Sequence, residues 1–393
     1  MTGSADATRL APFDTDKLES LMAPVGMDLV LASSRHNVRY LFGGYSEFFA
    51  HFDAIGSDRY LPLLGYPRGQ RERAFLIGTA ADTPVHKLEP SWLSEIVYAP
   101  MSSAAAAEAA ATEIHRLGLA SSTIAVEETF LPVRAFATLG RRLPHATFID
   151  ATAILEELRA VKRPDELELL RVASEGIVDS FVAAAHSAAS GLTREQLVER
   201  VRFEEARRGL DFEYCGISIG PKADRPPRTA RWEEGTILSL DSGGLREGYI
   251  GDLCRMAVRG EPTALMRELL DEVRAIQDAA RVPIRHGALG VEIYDHALKA
   301  QAQLPHGRDT VFLAHGMGLV SHEAPRLTDG PPVGHAATHR TRSLEAGMVI
   351  SIETHLVVEG VGFVKLEDTV AVTQTGCTGF GDVARDWIAV PSH

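Results

Sequence analysis

Cysteine is scarce in this chain: Cys215, Cys254 and Cys377 stand far apart and form no CxxC pair. That excludes a disulfide framework and a zinc knuckle and points to a reducing compartment. Long apolar runs are missing too, since no stretch reaches the roughly 18 consecutive apolar residues that a membrane-spanning helix needs. The start, MTGSADATRLAPFDTD, lacks a basic region followed by an apolar one. The expectation is a cytoplasmic protein, neither exported nor in a membrane. Positive charge is in deficit, with 40 Lys and Arg against 53 Asp and Glu and a formal charge of -13. No basic face for nucleic acid can be built from that balance. There is no HExxH, no Walker A loop and no GxGxxG, so zincin, nucleotide-triphosphatase and Rossmann readings have no support. Gly216 to Gly220 does match GxSxG, but the proline-rich PKADRPPR that follows cannot start the helix a nucleophile elbow requires, which leaves Ser218 as a strand residue.

What is present is a globular composition, 45% hydrophobic and 24% charged over 393 residues, long enough to imply two domains. In residues 1–158, Asp28 to Ala32, Ala74 to Ile77, Thr123 to Val126 and Thr147 to Ile149 are expected as buried strands, with an Ala-rich helix from Ala104 to Leu117. This predicts a mixed α/β domain. Tyr40 to Pro67, carrying Phe48, Phe49, His51, Phe52 and Tyr60, is expected as a packed aromatic loop that could alternatively reach a site or a partner subunit. Pro164 is placed to open a helix at the head of a second, α+β domain over residues 159–393. Thr193 with Gln196 forms a capping box for the next helix, which Gly209 ends. Beyond Phe212 the chain reads as strands in antiparallel-compatible pairs, with helices from Thr263 to Val282 and Val291 to Ala302.

Five residues of this second domain could bind metal: Asp241, Asp252, His315, Glu353 and Glu367. Singly each has a plain explanation, a turn or cap for an Asp and a solvent-facing strand position for a Glu. Each acid, however, follows β-branched or Leu-rich sequence, where an unpaired carboxylate is costly to bury. Four carboxylates in one pocket repel unless cations neutralise them, and two divalent ions sharing a water match that inventory. Asp241 ends the apolar run TILSLD and Asp252 lies in the next strand, with SGGLREG read as the connecting loop that returns both to one side of the sheet. Carboxylate-rich sites suit Mn²⁺, with Co²⁺, Fe²⁺ or Zn²⁺ as alternatives. The chemistry expected is hydrolysis by a metal-activated water.

The stretches LSLDSGG…YIGDLCR, HGMGLVSHEAPRL, GMVISIE and KLEDTVAVT resemble the five ligand motifs of the M24 family. These are the pita-bread metallopeptidases, which include prolidase, aminopeptidase P and methionine aminopeptidase. LRAVKRPDELELLRVAS is similar to the lead-in to that domain, and SRHNVRYLFGGY to a motif of the creatinase-type N-terminal domain in the prolidase and creatinase branch. The resemblance implies that Asp241 binds the first metal, that Asp252 and Glu367 bridge, and that His315 and Glu353 complete the second. Glu353 would also shuttle the proton. His322 matches a histidine that contacts substrate or the oxyanion. The implied activity is cleavage of an amide C–N bond in a short peptide, most simply an Xaa-Pro dipeptide, by a homodimer.

Departures from the pattern concern substrate handles. Pro227 stands where the peptidases carry a histidine, and Arg225 and Arg228 flank it as candidate grips for an anion. Thr354-His355 replaces the Pro-Gly usual after the fourth ligand, and Lys365 replaces an arginine two residues before the last, offering a point charge in place of a fork. These changes keep open a non-peptidase member acting on a small metabolite as hydrolase or lyase. The lyase pattern needs an acid six residues after the His ligand, where this chain has Ser321.

Overall fold

The computed structural model describes residues 10–43, 58–82, 91–221, 226–329 and 334–391. The chain divides into two compact units, Met1–Leu158 and Arg159–His393. No helix among the described residues is long and apolar enough to cross a membrane.

The first unit is built on six strands: β1 (Leu29–Ala32), β2 (Leu63–Pro67), β3 (Phe75–Gly78), β4 (Glu95–Tyr98), β5 (Thr123–Val126) and β6 (Thr147–Asp150). They lie in the order β4-β3-β2-β1-β5-β6, with β2 antiparallel to β1 and β3, and the other neighbours parallel. Helices α1 (Thr15–Met22), α2 (Arg35–Phe42), α3 (Ser103–Leu117), α4 (Val133–Arg142) and α5 (Thr152–Arg159) accompany them. The Ala-rich α3 starts at Ser102, whose side chain accepts from the Ala105 amide, and closes at Gly118 with φ +78. Its small residues Ala106, Ala107, Ala110 and Ala111 share one buried cluster with Leu29, Leu31, Phe75 and Ile124 of the sheet.

Two sequence expectations are corrected in this unit. Residues 63–67, expected within a loop, form β2, a strand buried throughout, where covered faces erase the alternation that marks a strand. Thr147 to Ile149, expected as a buried strand, belongs to β6, which is exposed or half-exposed throughout because it is the sheet's edge. Phe48, Phe49, His51 and Phe52 lie outside the described residues.

In the second unit α6 (Pro164–Ser187) begins with Pro164 at its first position, and Glu166 accepts from the Arg163 amide at 2.9 Å. Thr193 and Gln196 form the expected capping box of α7 (Arg194–Arg207). The sheet comprises β7 (Asp211–Ile219), β8 (Ile237–Arg246), β9 (Tyr249–Arg259), β10 (Thr310–Gly316), β11 (Val349–Val358), β12 (Gly362–Val372), β13 (Cys377–Phe380) and β14 (Ile388–Val390), with α8 (Ala264–Arg281) and α9 (Gly290–Gln301) between β9 and β10 in the chain. Its main path is β10-β11-β12-β9-β8-β7, to which β13 adds on β12 and β14, in parallel, on β9.

These strands are longer than the sequence suggested. The runs TILSLD and MVISIE put Asp241 and Glu353 at strand ends. Instead β8 continues five residues past Asp241, β11 five past Glu353, and His315 sits inside β10. The hairpin turns on Glu247 and Gly248 alone, both at positive φ, so most of SGGLREG is strand. Gly243 and Gly244 misled the reading because they are there for approach: a Cβ on Gly244 would lie 2.8 Å from Ile177 Cδ1 of α6.

Candidate metal centre

Strand register assembles the acids. On β11 and β12, Glu353 pairs with Glu367; Glu367 pairs with Cys254 on β9; and Cys254 pairs with Asp241 on β8. Side chains of directly paired residues point to the same face, so these four form one row across the sheet. Asp252 lies one same-face step from Cys254, and His315 pairs with Ser351, one same-face step from Glu353. The β9 to β12 pairing is only that one pair long, and buried Arg255 fastens it: Nη1 donates to the carbonyls of Cys254 (2.9 Å) and Glu367 (2.7 Å).

Ligand atoms of Asp252, His315 and Glu367 lie within 4.8 Å of one another, as do those of His315, His322 and Glu353. Asp252, His315 and Glu367 are each no more than 3% exposed. Asp252 accepts from the Tyr214 hydroxyl and, at 2.8 Å, from Ser321 Oγ. Glu367 Oε1 accepts from Ser351 Oγ at 2.9 Å. Lys365 sends Nζ to three acids at once: Asp241 at 2.7 Å, Glu353 at 2.6 Å and Glu367 at 2.8 Å.

The electrostatics report a cluster short of positive charge. Burial, with repulsion from Glu367 and Asp241, pushes the Asp252 carboxyl up to about 8. Burial also raises Asp241 to about 6 against the pull of Lys365. Burial would raise Glu367 as well, but Lys365 and His315 outweigh it and hold that carboxyl well below the usual range. For His315, burial works against protonation, yet Glu367 and Glu353 draw its pKa upward. Burial and neighbouring His315 push His322 down to about 3, so it is neutral at ordinary pH.

The donors fit a divalent ion. His315 Nδ1 lies 3.2 Å from the Gly316 carbonyl, which suits a proton there and leaves Nε2 bare. That buried Nε2 has no hydrogen-bond partner and stands 3.6 Å from Glu367 Oε1, an unsatisfied atom aimed into the acid cluster. Gly316 makes the placement possible, because a Cβ there would sit 2.4 Å from Ala324 and Glu323 backbone atoms.

A cavity of about 530 Å³ opens onto this cluster, lined by Asp241, Asp252, Glu353, Glu367 and Lys365 together with His322, Tyr214, Arg194, Leu313, His355 and Phe363. His322 is held at φ +62, a region that costs a non-glycine residue energy, and its ring stacks on His315. Arg228, expected as an anion grip, is instead exposed, pairs with Glu195 and does not line the cavity. Arg225 lies outside the described residues. Thr354 is buried on the opposite face from Glu353, so His355 is the altered residue that meets the cavity. Ser321 is engaged with Asp252 rather than offering an eliminating acid. Ser218 sits within β7 opposite Ser239, as expected of a strand residue.

Sequence reasoning missed Tyr214, Ser351 and Arg194. Ser351 was within reach, since it stands two residues before Glu353 in a strand and so shares its face. Tyr214 precedes no motif, and a strand irregularity between Phe212 and Tyr214 turns it toward Asp252. Arg194 is simply the first residue of a capped helix.

Residues 168–374, over half of the chain, match the family model of metallopeptidase family M24. The chain belongs to family M24. Residues 15–161 match the creatinase/prolidase N-terminal domain, so both parts of the expected pita-bread architecture are present. Among M24 relatives, an Xaa-Pro dipeptidase of Lactobacillus delbrueckii subsp. lactis is 25% identical over 385 residues, 96% of this chain and 98% of that protein. An Xaa-Pro dipeptidase of Pyrococcus horikoshii is 24% identical, covering 95% and 97%. The fold is shared with solved structures: an Xaa-Pro dipeptidase from Bacillus anthracis has a TM-score of 0.78 at 20% identity, covering 96% of this chain and 99% of that one. The prolidase from Pyrococcus horikoshii OT3 scores 0.74 at 22% identity, covering 94% and 97%. An M24 metallopeptidase works with divalent metal, and the donor set described above suits one.

Proposed function

We propose that this chain is a metal-dependent peptidase that hydrolyses the amide bond of Xaa-Pro dipeptides. The observation that carries the reading is the set of acids Asp241, Asp252, Glu353 and Glu367 lining a cavity sized for a small ligand, with the bare His315 Nε2 beside Glu367. Asp252, His315 and Glu367 would hold a divalent ion, with Mn²⁺ first among the candidates for so carboxylate-rich a site. Asp241 and Glu353 lie on the Lys365 side of Glu367, and their share in a second ion depends on that ammonium. When bound, such an ion polarises the attacked carbonyl and makes water acidic enough to attack at neutral pH.

The chain's own residues supply the rest. Glu353 lines the cavity with a carboxylate that accepts the proton from the attacking water and returns it to the departing nitrogen. A proline nitrogen in an amide carries no hydrogen, so it leaves only once protonated. His322, neutral and cavity-facing, donates to the oxygen that gains charge in the transition state. Leu313 and Phe363 give an apolar wall for the pyrrolidine ring, and Arg194, whose Nε is spent on the Ile217 carbonyl, brings a guanidinium to pair with the terminal carboxylate. Ala-Pro and Gly-Pro assayed with added Mn²⁺ should be cleaved and a chelator should abolish cleavage; no turnover across a panel of proline dipeptides would overturn the proposal.

A further inference from the structure

Among the described residues, Lys365 is the one cation inside a ring of acids that were read as metal ligands. Its Nζ contacts one oxygen each of Glu353 (2.6 Å), Asp241 (2.7 Å) and Glu367 (2.8 Å). An ammonium has three donors; one bonds Asp241, and the other two acids complete a shell of three carboxylate oxygens within 2.8 Å. Oxygens this close to one nitrogen cannot also enclose an ion bonded at about 2.0–2.2 Å, because ion and nitrogen would claim the same space. Glu367 divides its two oxygens: Oε2 faces Lys365, and Oε1 faces Ser351 and His315. It therefore bridges an ammonium and the three-ligand place formed with Asp252 and His315, the more buried of the two groupings, which share His315.

We infer that the Lys365 ammonium stands in the second of two adjacent cation positions, so that this chain holds one divalent ion tightly, at Asp252, His315 and Glu367, rather than a matched pair. The inference rests on the metal-dependent reading above. Residue type matters here: a lysine head is a compact point charge that fits where an ion would, whereas a planar guanidinium fork does not. Position matters as well. Lys365 lies within β12, in register with His355, and is 7% exposed, its head held among the acids at the cavity wall.

Counting bound metal tests this directly. Protein stripped with a chelator and dialysed against micromolar Mn²⁺ should take up one equivalent by elemental analysis and show the six-line resonance of an isolated ion. Lys365→Met, its folding checked by circular dichroism and thermal melting, should take up two equivalents and show the spectrum of a coupled pair. Two equivalents at comparable affinity in the wild type would overturn the inference, as would a folded Lys365→Met protein that keeps one. No bound metal at all would overturn the metal-dependent reading as well, which separates the two failures. Should Lys365→Met not fold, the wild-type count decides alone.

Discussion

The imidazole rings of His315 and His322 stack with centroids 3.7 Å apart and 18° between their planes. One ring is fixed by its own strand and the other by a strained loop residue at φ +62, so the pair holds a bare nitrogen at the acids and a second imidazole toward the cavity. The division of labour predicts that His322→Ala lowers kcat by about 10²–10³-fold, the worth of an oxyanion donor. Bound metal should stay at the wild-type amount. A variant that loses metal in step with activity would make His322 a ligand.

Asp252 is fastened by two hydroxyls, Tyr214 and Ser321. Asp252→Ala should abolish both metal binding and turnover. Ser321→Ala, which leaves the carboxylate but frees one oxygen, should weaken metal affinity by about 10–100-fold, as measured by competition with a chromophoric chelator. Full activity in Asp252→Ala would show that the metal-centred mechanism is wrong.

Glu323 is buried between Arg159 at 2.9 Å and Lys162 at 3.0 Å, next in sequence to His322. Burial would raise its pKa, but the two cations outweigh that and lower it below the ordinary 4.5. A carboxyl with a lowered folded-state pKa stabilises fully above its unfolded value, and the contribution is lost as pH falls through the folded value. Glu323→Gln should therefore cost about 3–5 kcal/mol at neutral pH. Thermal melts should show its gap from the wild type closing below about pH 4. A gap of constant size across that range would refute the assignment.

Gly251 meets α6 where β9 delivers Asp252. Gly251→Ala places a Cβ 2.8 Å from backbone atoms that cannot rotate away. A loss of about 1–3 kcal/mol is expected in denaturant titration, with a fall in metal affinity because the adjacent Asp252 moves. An unchanged midpoint would mean that α6 yields more easily than packed backbone should.

The five ligand candidates were legible in the sequence because each acid interrupts an apolar run, where its burial demands a partner. Helix starts were legible for a similarly local reason: Pro164 and the Thr193–Gln196 box act within one turn. Strand ends were not, because Gly243 and Gly244 look like loop and serve instead as points of contact with Tyr214, Ile177 and Glu205. Nor could spacing distinguish Arg194, which lines the cavity, from Arg228, which pairs with Glu195 on the surface.

By itself, then, the sequence marked which side chains need a partner for their charge once buried, since the cost of burying charge is a property of residue type and its immediate neighbours. Only tertiary structure shows which groups surround each of them. Register across β8, β9, β11 and β12 sets Asp241, Glu353 and Glu367 around the Lys365 ammonium, and leaves His315 Nε2 open beside Asp252. Those distances, some between residues more than a hundred positions apart, follow from strand pairing rather than from local sequence.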